Sequence, residues 1–243
     1  MKQMWVAFGF LLATIATQAQ SAIPSGTILP IRLDTTLNAA KAHSGQSVRA
    51  TVIQDIPGTS ISRNAKLFGH VMNAMAQNKN AAQIEIVFDS VEVKGRAIAV
   101  KASLRALASF MEVGAAEAPD EGGDQAIPPS ASTYTQIGGE VVFRGGGPVW
   151  DGKRAVGKPT PYGVLGLPRA NPAGGCRGVM GENRQPQALW VFSTNACGLY
   201  GFRHVRIVQT GRTEPIGKII LASDNGRLML HAGSGMLLRV LGP

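Results

Sequence analysis

Four histidines, scattered carboxylates, two cysteines and a few glycine-flanked polar residues are the groups in this chain that could do chemistry. His43, His70, His204 and His231 show no i, i+4 pair and no H-E-x-x-H, so their spacing supports no zinc helix. Among the carboxylates, Asp34, Glu85, Asp89 and Glu140 are candidates for acid–base work, which needs two that converge on one cleft. Glu85 and Asp89 lie an even number of residues apart, so a regular strand puts them on one face, opposite Ile84, Ile86 and Phe88. That face is expected to be a solvated one. The acid cluster Glu117, Asp120, Glu121 and Asp124 lacks the alternating spacing of a calcium loop. Gly152 to Lys158 fits the start of a phosphate-binding loop, but Pro159 stands where a Ser or Thr must hold magnesium. Gly233-Ser234-Gly235 brings its glycines too close to the serine for a G-x-S-x-G elbow. Neither a cofactor nor a metal site is expected from these spacings.

Cys176 and Cys197 are the two cysteines, without a CxxC and without a nearby histidine. In an exported chain an even count points to a disulfide, and closing a loop of this size is worth about 3 kcal/mol on the chain-entropy model. Export itself is expected from residues 1–22: Lys2, then an apolar run from Trp5 to Ile15, then small residues that allow cleavage after Ala19 or, less favourably, after Ala22. No later stretch is long and apolar enough for a transmembrane helix, so the mature chain is expected to have none. The protein is therefore expected in the periplasm or outside the cell, or associated with an outer membrane.

The 243 residues are 44% hydrophobic, enough for a sizeable core, and only 6% aromatic, which is poor provision for stacking on glycans or bases. The net charge of +9 is diffuse, without a run of basic residues, which argues against nucleic acid as a partner.

The elements that must position these groups read as strands. Apolar alternation marks Thr27–Asp34, Ser47–Gln54, Lys66–Met72, Gln83–Val93 and Ala97–Val100, with Lys94-Gly95 as a tight turn. Ser103–Val113 has Leu104, Leu107, Ala108 and Met111 at helical spacing, which predicts a short helix capped by Ser103. Residues 114–133 are acidic and rich in breakers, a linker. Residues 134–202 are rich in Gly and Pro, with one good strand at Ala188–Phe192, and read as a loop-rich insertion stapled by the cysteines. Strands return at His204–Val208, Gly217–Ser223, Arg227–His231 and Met236–Val240, with Asp224-Asn225-Gly226 predicting a hairpin. The division is thus 1–19 signal peptide, 23–113 first part of a β core, 114–133 linker, 134–202 insertion, and 203–243 strands completing the core. The fold class is all-β, an antiparallel barrel-like or sandwich core.

The segments Ile23–Leu33, Gly45–Val52, Ile61–Gly69 and Ile84–Gly95, with Ala232-Gly233-Ser234 near the end, resemble the TrbI-like β-barrel domain of type IV secretion and conjugation channels. At Ser62 and Asn64 that family tends to have Pro and Gly. The resemblance covers about residues 23–102 and 205–241, and it implies a barrel-like sheet in the cell envelope.

The function expected is a structural or binding role in the envelope, non-enzymatic, with envelope proteins or further copies of the chain as partners. One alternative is a secreted hydrolase of an envelope or extracellular polymer, with His204, Glu140 and Asp151 as its candidates. Another is a small-ligand-binding barrel.

Overall fold

The computed structural model describes residues 23–77, 80–120, 132–139, 141–144, 147–151, 153–169, 185–208 and 217–241. The expected signal peptide lies outside them. The described chain is all-β apart from one short helix. Its main sheet contains β1 (Ile28–Leu33), β3 (Ser47–Val52), β4 (Lys66–Gln77), β5 (Ala81–Val93), β6 (Arg96–Ala99), β7 (Ala102–Ala108), β14 (Gly198–Tyr200), β15 (Val205–Ile207), β16 (Ile219–Ser223) and β18 (Gly235–Val240). The order is β14-β7-β18-β1-β3-β4-β5-β16-β15, with β6 also paired to β5. All pairings are antiparallel except β14 with β7. The first and last stretches of the chain thus share one sheet, through β1 with β18 and β5 with β16.

The two edge strands, β14 and β15, are joined by only residues 201–204. Nine flat strands at ~4.8 Å would span close to 40 Å, whereas so short a link reaches less than ~20 Å. The sheet therefore rolls back on itself. No ladder joins β14 to β15 among the described residues, so it is an open roll rather than a closed barrel.

Alternation fills the roll. Leu29, Ile31 and Leu33 of β1, Leu67 and Val71 of β4, and Ile84 and Ile86 of β5 share one core and are almost wholly buried. Each contributes about 1.5–3 kcal/mol relative to exposure. The two-residue turn at Lys94 and Gly95, both at positive φ, joins β5 to β6 as the sequence predicts.

Two sequence expectations fail here. Ala102–Ala108 is strand β7, not helix; the helix, α1, starts about two turns later at Phe110–Glu117, capped by Ser109, whose Oγ accepts from the Glu112 amide. The reason is burial on both faces. Leu107 faces the inner core while Ala106 and Ala108 face a second one, and a strand covered on both sides loses its alternation. The helix also runs into the stretch read as linker. The Asn225-Gly226 turn likewise makes no hairpin. β16 pairs with β5 and β15, and the chain beyond the turn pairs its β17 (Met229–Leu230) with β2 (Leu37–Asn38). Asn225 Oδ1 accepts from Ser223 Oγ and the Arg227 amide, and only Gly226 takes positive φ, so the turn deflects the chain instead of reversing it.

The end of the stretch read as linker and the segment read as loop-rich hold β8 (Ser132–Thr135), which spans their boundary, and then β9 (Val141–Arg144), β10 (Val149–Asp151), β11 (Arg154–Thr160), β12 (Gly163–Gly166) and β13 (Gln187–Trp190). Strands β10 to β13 form a second antiparallel sheet. Its glycines are sites of close approach rather than loop punctuation: a Cβ on Gly157 would lie 2.6 Å from the Leu165 carbonyl oxygen. Val156, Val164, Leu189, Trp190 and Phe192 form the second core with Ile28, Ala106, Ala108 and Leu237 on the outer face of β1, β7 and β18. The segment lies against that face. Of the Gly152–Lys158 phosphate-loop match, Gly152 lies outside the described residues and Arg154 to Lys158 belong to β11, with Pro159 opposite Val164.

Candidate functional site

A polar cleft of about 290 Å³ opens where β1, α1 and the β11–β12 turn meet. Arg32 reaches it because Leu29, Ile31 and Leu33 point inward, leaving the alternate positions of β1 on the outer face. The Arg32 guanidinium pairs with Glu117 at the end of α1 and lies 5.0 Å from the centroid of the Trp190 ring. Across the cleft, the Arg63 guanidinium stacks 3.8 Å from the centroid of Tyr162. Asp34 accepts from Thr51 Oγ1 at 2.8 Å and from Lys66 Nζ at 3.3 Å, and Lys66 also donates to Thr51 Oγ1 at 2.6 Å. Asn64 on the rim holds φ 71, a conformation Asn tolerates and glycine prefers.

The cleft floor is built under strain. Trp190 is 2% exposed and sits at φ 51, a conformation that costs of order 1–3 kcal/mol for a side chain of this kind. It is held there by Gln54, whose Oε1 accepts from the Trp190 amide at 2.7 Å while its Nε2 donates to the Val164 carbonyl at 3.2 Å. Beside it, Gly163 at φ 136 lets the two backbones touch. Beneath the second core, Arg105 is 2% exposed and donates from Nε to the Ala196 carbonyl at 3.0 Å and from Nη2 to the Thr194 carbonyl at 2.8 Å. Burial first, then the nearby Arg239, push its guanidinium down to about 10.

None of the histidines lines this cleft. His204 Nδ1 lies 3.2 Å from Asp224 and His70 Nδ1 lies 2.8 Å from Asp89, both on open surface. His43 meets the Ser44 carbonyl, and the ring of His231 meets Phe110 edge-on. Of the hydrolase candidates, Glu140 lies outside the described residues, and Asp151 contributes the last backbone position of β10. Glu85 is not on a solvated face: its side chain is 14% exposed, with Lys218 Nζ at 2.7 Å. Ser234 is a buried turn residue leading into β18. Asp120 accepts from Thr135 Oγ1, while Glu121 and Asp124 lie outside the described residues.

Cys197 is buried, its amide donates to Tyr200 Oη at 3.0 Å, and no described cysteine is free. Cys176 lies outside the described residues. No described helix is long and apolar enough to cross a membrane.

Among the cleft residues, the sequence singled out Asp34 and Glu117 as carboxylates but nothing pointed to Arg32, Arg63, Tyr162 or Trp190. These come from segments far apart in the chain, and no local spacing signals their convergence. Comparison of the chain with family models, curated proteins and solved structures finds no match.

Proposed function

We propose that this chain is an exported protein of the bacterial envelope that acts by binding, and that the cleft is its binding surface for a small polar ligand carrying both charges, of the kind a short peptide presents. The observation that carries the reading is the balance and pre-orientation of the lining. Two guanidinium groups and two carboxylates face one space, and each is already held by a partner: Arg32 by Glu117 and Trp190, Arg63 by Tyr162, Asp34 by Thr51 and Lys66. Groups ordered before binding lose little side-chain entropy when a ligand arrives. The rings have guanidinium groups against them, which leaves them poorly placed as platforms for sugars.

Calorimetric titration with zwitterionic peptides, acidic sugars and neutral sugars tests this. Binding is expected for the peptides, and Arg32→Gln is expected to weaken it at least tenfold, about 1.4 kcal/mol. Peptide binding that Arg32→Gln and Arg63→Gln leave unchanged overturns the assignment. A hydrolase is the second reading, favoured by Asp34 and Glu117 sharing the cleft; turnover of an envelope polymer, abolished by Asp34→Asn and Glu117→Gln together, would establish it. The small-ligand barrel has less support, because the inside of the roll is occupied by Leu29, Ile31, Leu67, Ile84 and their neighbours.

Export and the Cys176–Cys197 disulfide belong to the same proposal. The intact mass of natively expressed protein is expected to lack residues 1–19 and the two hydrogens lost in forming the bridge. A full-length mass that two thiol labels increase would count against both. The partners proposed are other envelope proteins or further copies of the chain, in keeping with the resemblance to secretion-channel barrels.

A further inference from the structure

Away from the cleft, and sharing no residue with it, β4 and β5 bring two side chains, Asp89 and Met72, onto the ring of His70. The Nδ1 atom of the ring lies 2.8 Å from Asp89 Oδ2, and its Nε2 lies 3.2 Å from Met72 Sδ. An ionised carboxylate only accepts hydrogen bonds, so the hydrogen between His70 and Asp89 belongs to Nδ1. A neutral ring then turns a bare Nε2 lone pair toward a thioether sulfur, which has no hydrogen to give. Two acceptors face each other, and the contact becomes attractive only when a positive centre lies between them. That centre is either the second ring proton or a metal ion.

The backbone is arranged around this contact. The pairing of β4 with β5 slips twice. Between Phe68 and Gly69 the partner moves from Ser90 to Phe88, leaving Asp89 as the extra residue; between Val71 and Asn73 it moves from Ile86 to Glu85, leaving Met72 as the extra residue. Thus both residues that meet the His70 ring are bulge residues, one on each strand, and bulges re-aim side chains. All three side chains are partly exposed, so an ion reaches them without opening the core.

We propose that His70 and Met72 bind a soft monovalent cation, Cu(I), with Asp89 as a positioning residue that holds the ring through Nδ1. The ligand types select the metal. A thioether is a soft ligand that favours Cu(I), imidazole suits copper, and Mg²⁺ and Ca²⁺ need oxygen ligands that this pair does not offer. A carboxylate on the far ring nitrogen is the usual outer partner of a metal-bound histidine. Bonds of about 2.0 Å to nitrogen and about 2.3 Å to sulfur, the lengths zinc makes, bridge gaps from ~3 Å when bent to ~4 Å when straight. Two-ligand Cu(I) favours the straight arrangement, so uptake moves the Met72 sulfur about 1 Å away from the ring, which its flexible, half-exposed side chain allows. The absence of a zinc-type spacing does not bear on such a site, because methionine is no part of that pattern.

The test is a competition titration of the purified, metal-free full chain against a coloured Cu(I) chelator, without oxygen and with a reductant. The wild-type protein is expected to take up one Cu(I) at this site. Met72→Leu should lower the affinity at least tenfold, and Asp89→Asn roughly tenfold. Met229→Leu, an exposed methionine on another strand, should leave it unchanged. Ag(I) added to labelled protein should shift the His70 ring and Met72 methyl resonances together. Equal affinity in wild type and Met72→Leu overturns the proposal, as does a loss equally large in Met229→Leu. All these positions are exposed enough for the variants to fold, and far-ultraviolet circular dichroism confirms it before titration.

Discussion

Gly163→Ala is expected to abolish the native packing of the second sheet, lowering stability by about 4 kcal/mol or more in urea unfolding. Two costs combine. The residue sits at φ 136, where an L side chain is strained. A Cβ there would also lie 2.0 Å from the carbonyl carbon and oxygen of Trp190 and 2.2 Å from its Cα. These are backbone atoms, so no rotamer change relieves the overlap. The Val164–Trp190 pairing must open, and with it the contact that holds Trp190 under Arg32. The loss should therefore appear in near-ultraviolet circular dichroism and in cleft binding as well as in the unfolding midpoint. Gly114→Ala is the control: it lies in α1 with open space around its Cβ and should stabilise by up to ~1 kcal/mol. If Gly163→Ala unfolds at the wild-type urea concentration, the close approach of β12 and β13 is wrong.

Arg105→Ala is expected to cost about 3 kcal/mol or more, from two hydrogen bonds with a charged donor and the buried carbonyls left behind at Thr194 and Ala196. Those carbonyls belong to the segment between β13 and β14, so Arg105 ties β7 to the chain just before Cys197. Arg105→Lys should recover only part of the loss, because an ammonium cannot present the planar fork that reaches both oxygens. The pH dependence follows from burial. Burial holds the folded guanidinium at about 10, below its ordinary range in the unfolded chain, so from about pH 10 upward the unfolded chain holds more protons than the folded one. In that window the Arg105 contribution makes stability rise with pH. Below about pH 9 the guanidinium is protonated in both states and adds no slope. The difference in unfolding free energy between wild type and Arg105→Ala should thus be flat from pH 6 to about 9 and widen toward pH 11. A difference that narrows as pH rises would show that the guanidinium is not held against its burial.

Much of the main sheet could be read directly. Where one strand face packs into the core more fully than the other, the side chains record it with a period of two, as in Ile84, Ile86 and Phe88 of β5. The shift to Val91 shows the limit of that reading. Val91 is buried although it is out of phase with Phe88, because Asp89 is a bulge, and a bulge leaves no mark in composition. Strand β7 reads as helix for a related reason, since a strand buried on both faces carries no alternation.

The glycine-rich middle hides its strands for the opposite reason. Gly157, Gly163 and Gly166 suggest loops when seen alone, but they permit the near-contact of neighbouring backbones in a tight sheet. Their role depends on what lies opposite, and local sequence does not specify that.

By itself, then, the sequence determined the local terms: which segments extend, where Lys94 and Gly95 turn, and that the positive charge is diffuse. The tertiary structure decided what depends on meeting. It rolled the sheet by placing β14 and β15 at opposite edges a few residues apart in the chain. It laid the second sheet over the outer face of β1, β7 and β18. It brought Arg32, Asp34, Arg63, Glu117, Tyr162 and Trp190 around one cleft, and His70, Met72 and Asp89 around one contact. The physical reason is range: side-chain periodicity is written by the environment of each strand, whereas a site is made by long-range pairing, whose register and bulges depend on the partner strand.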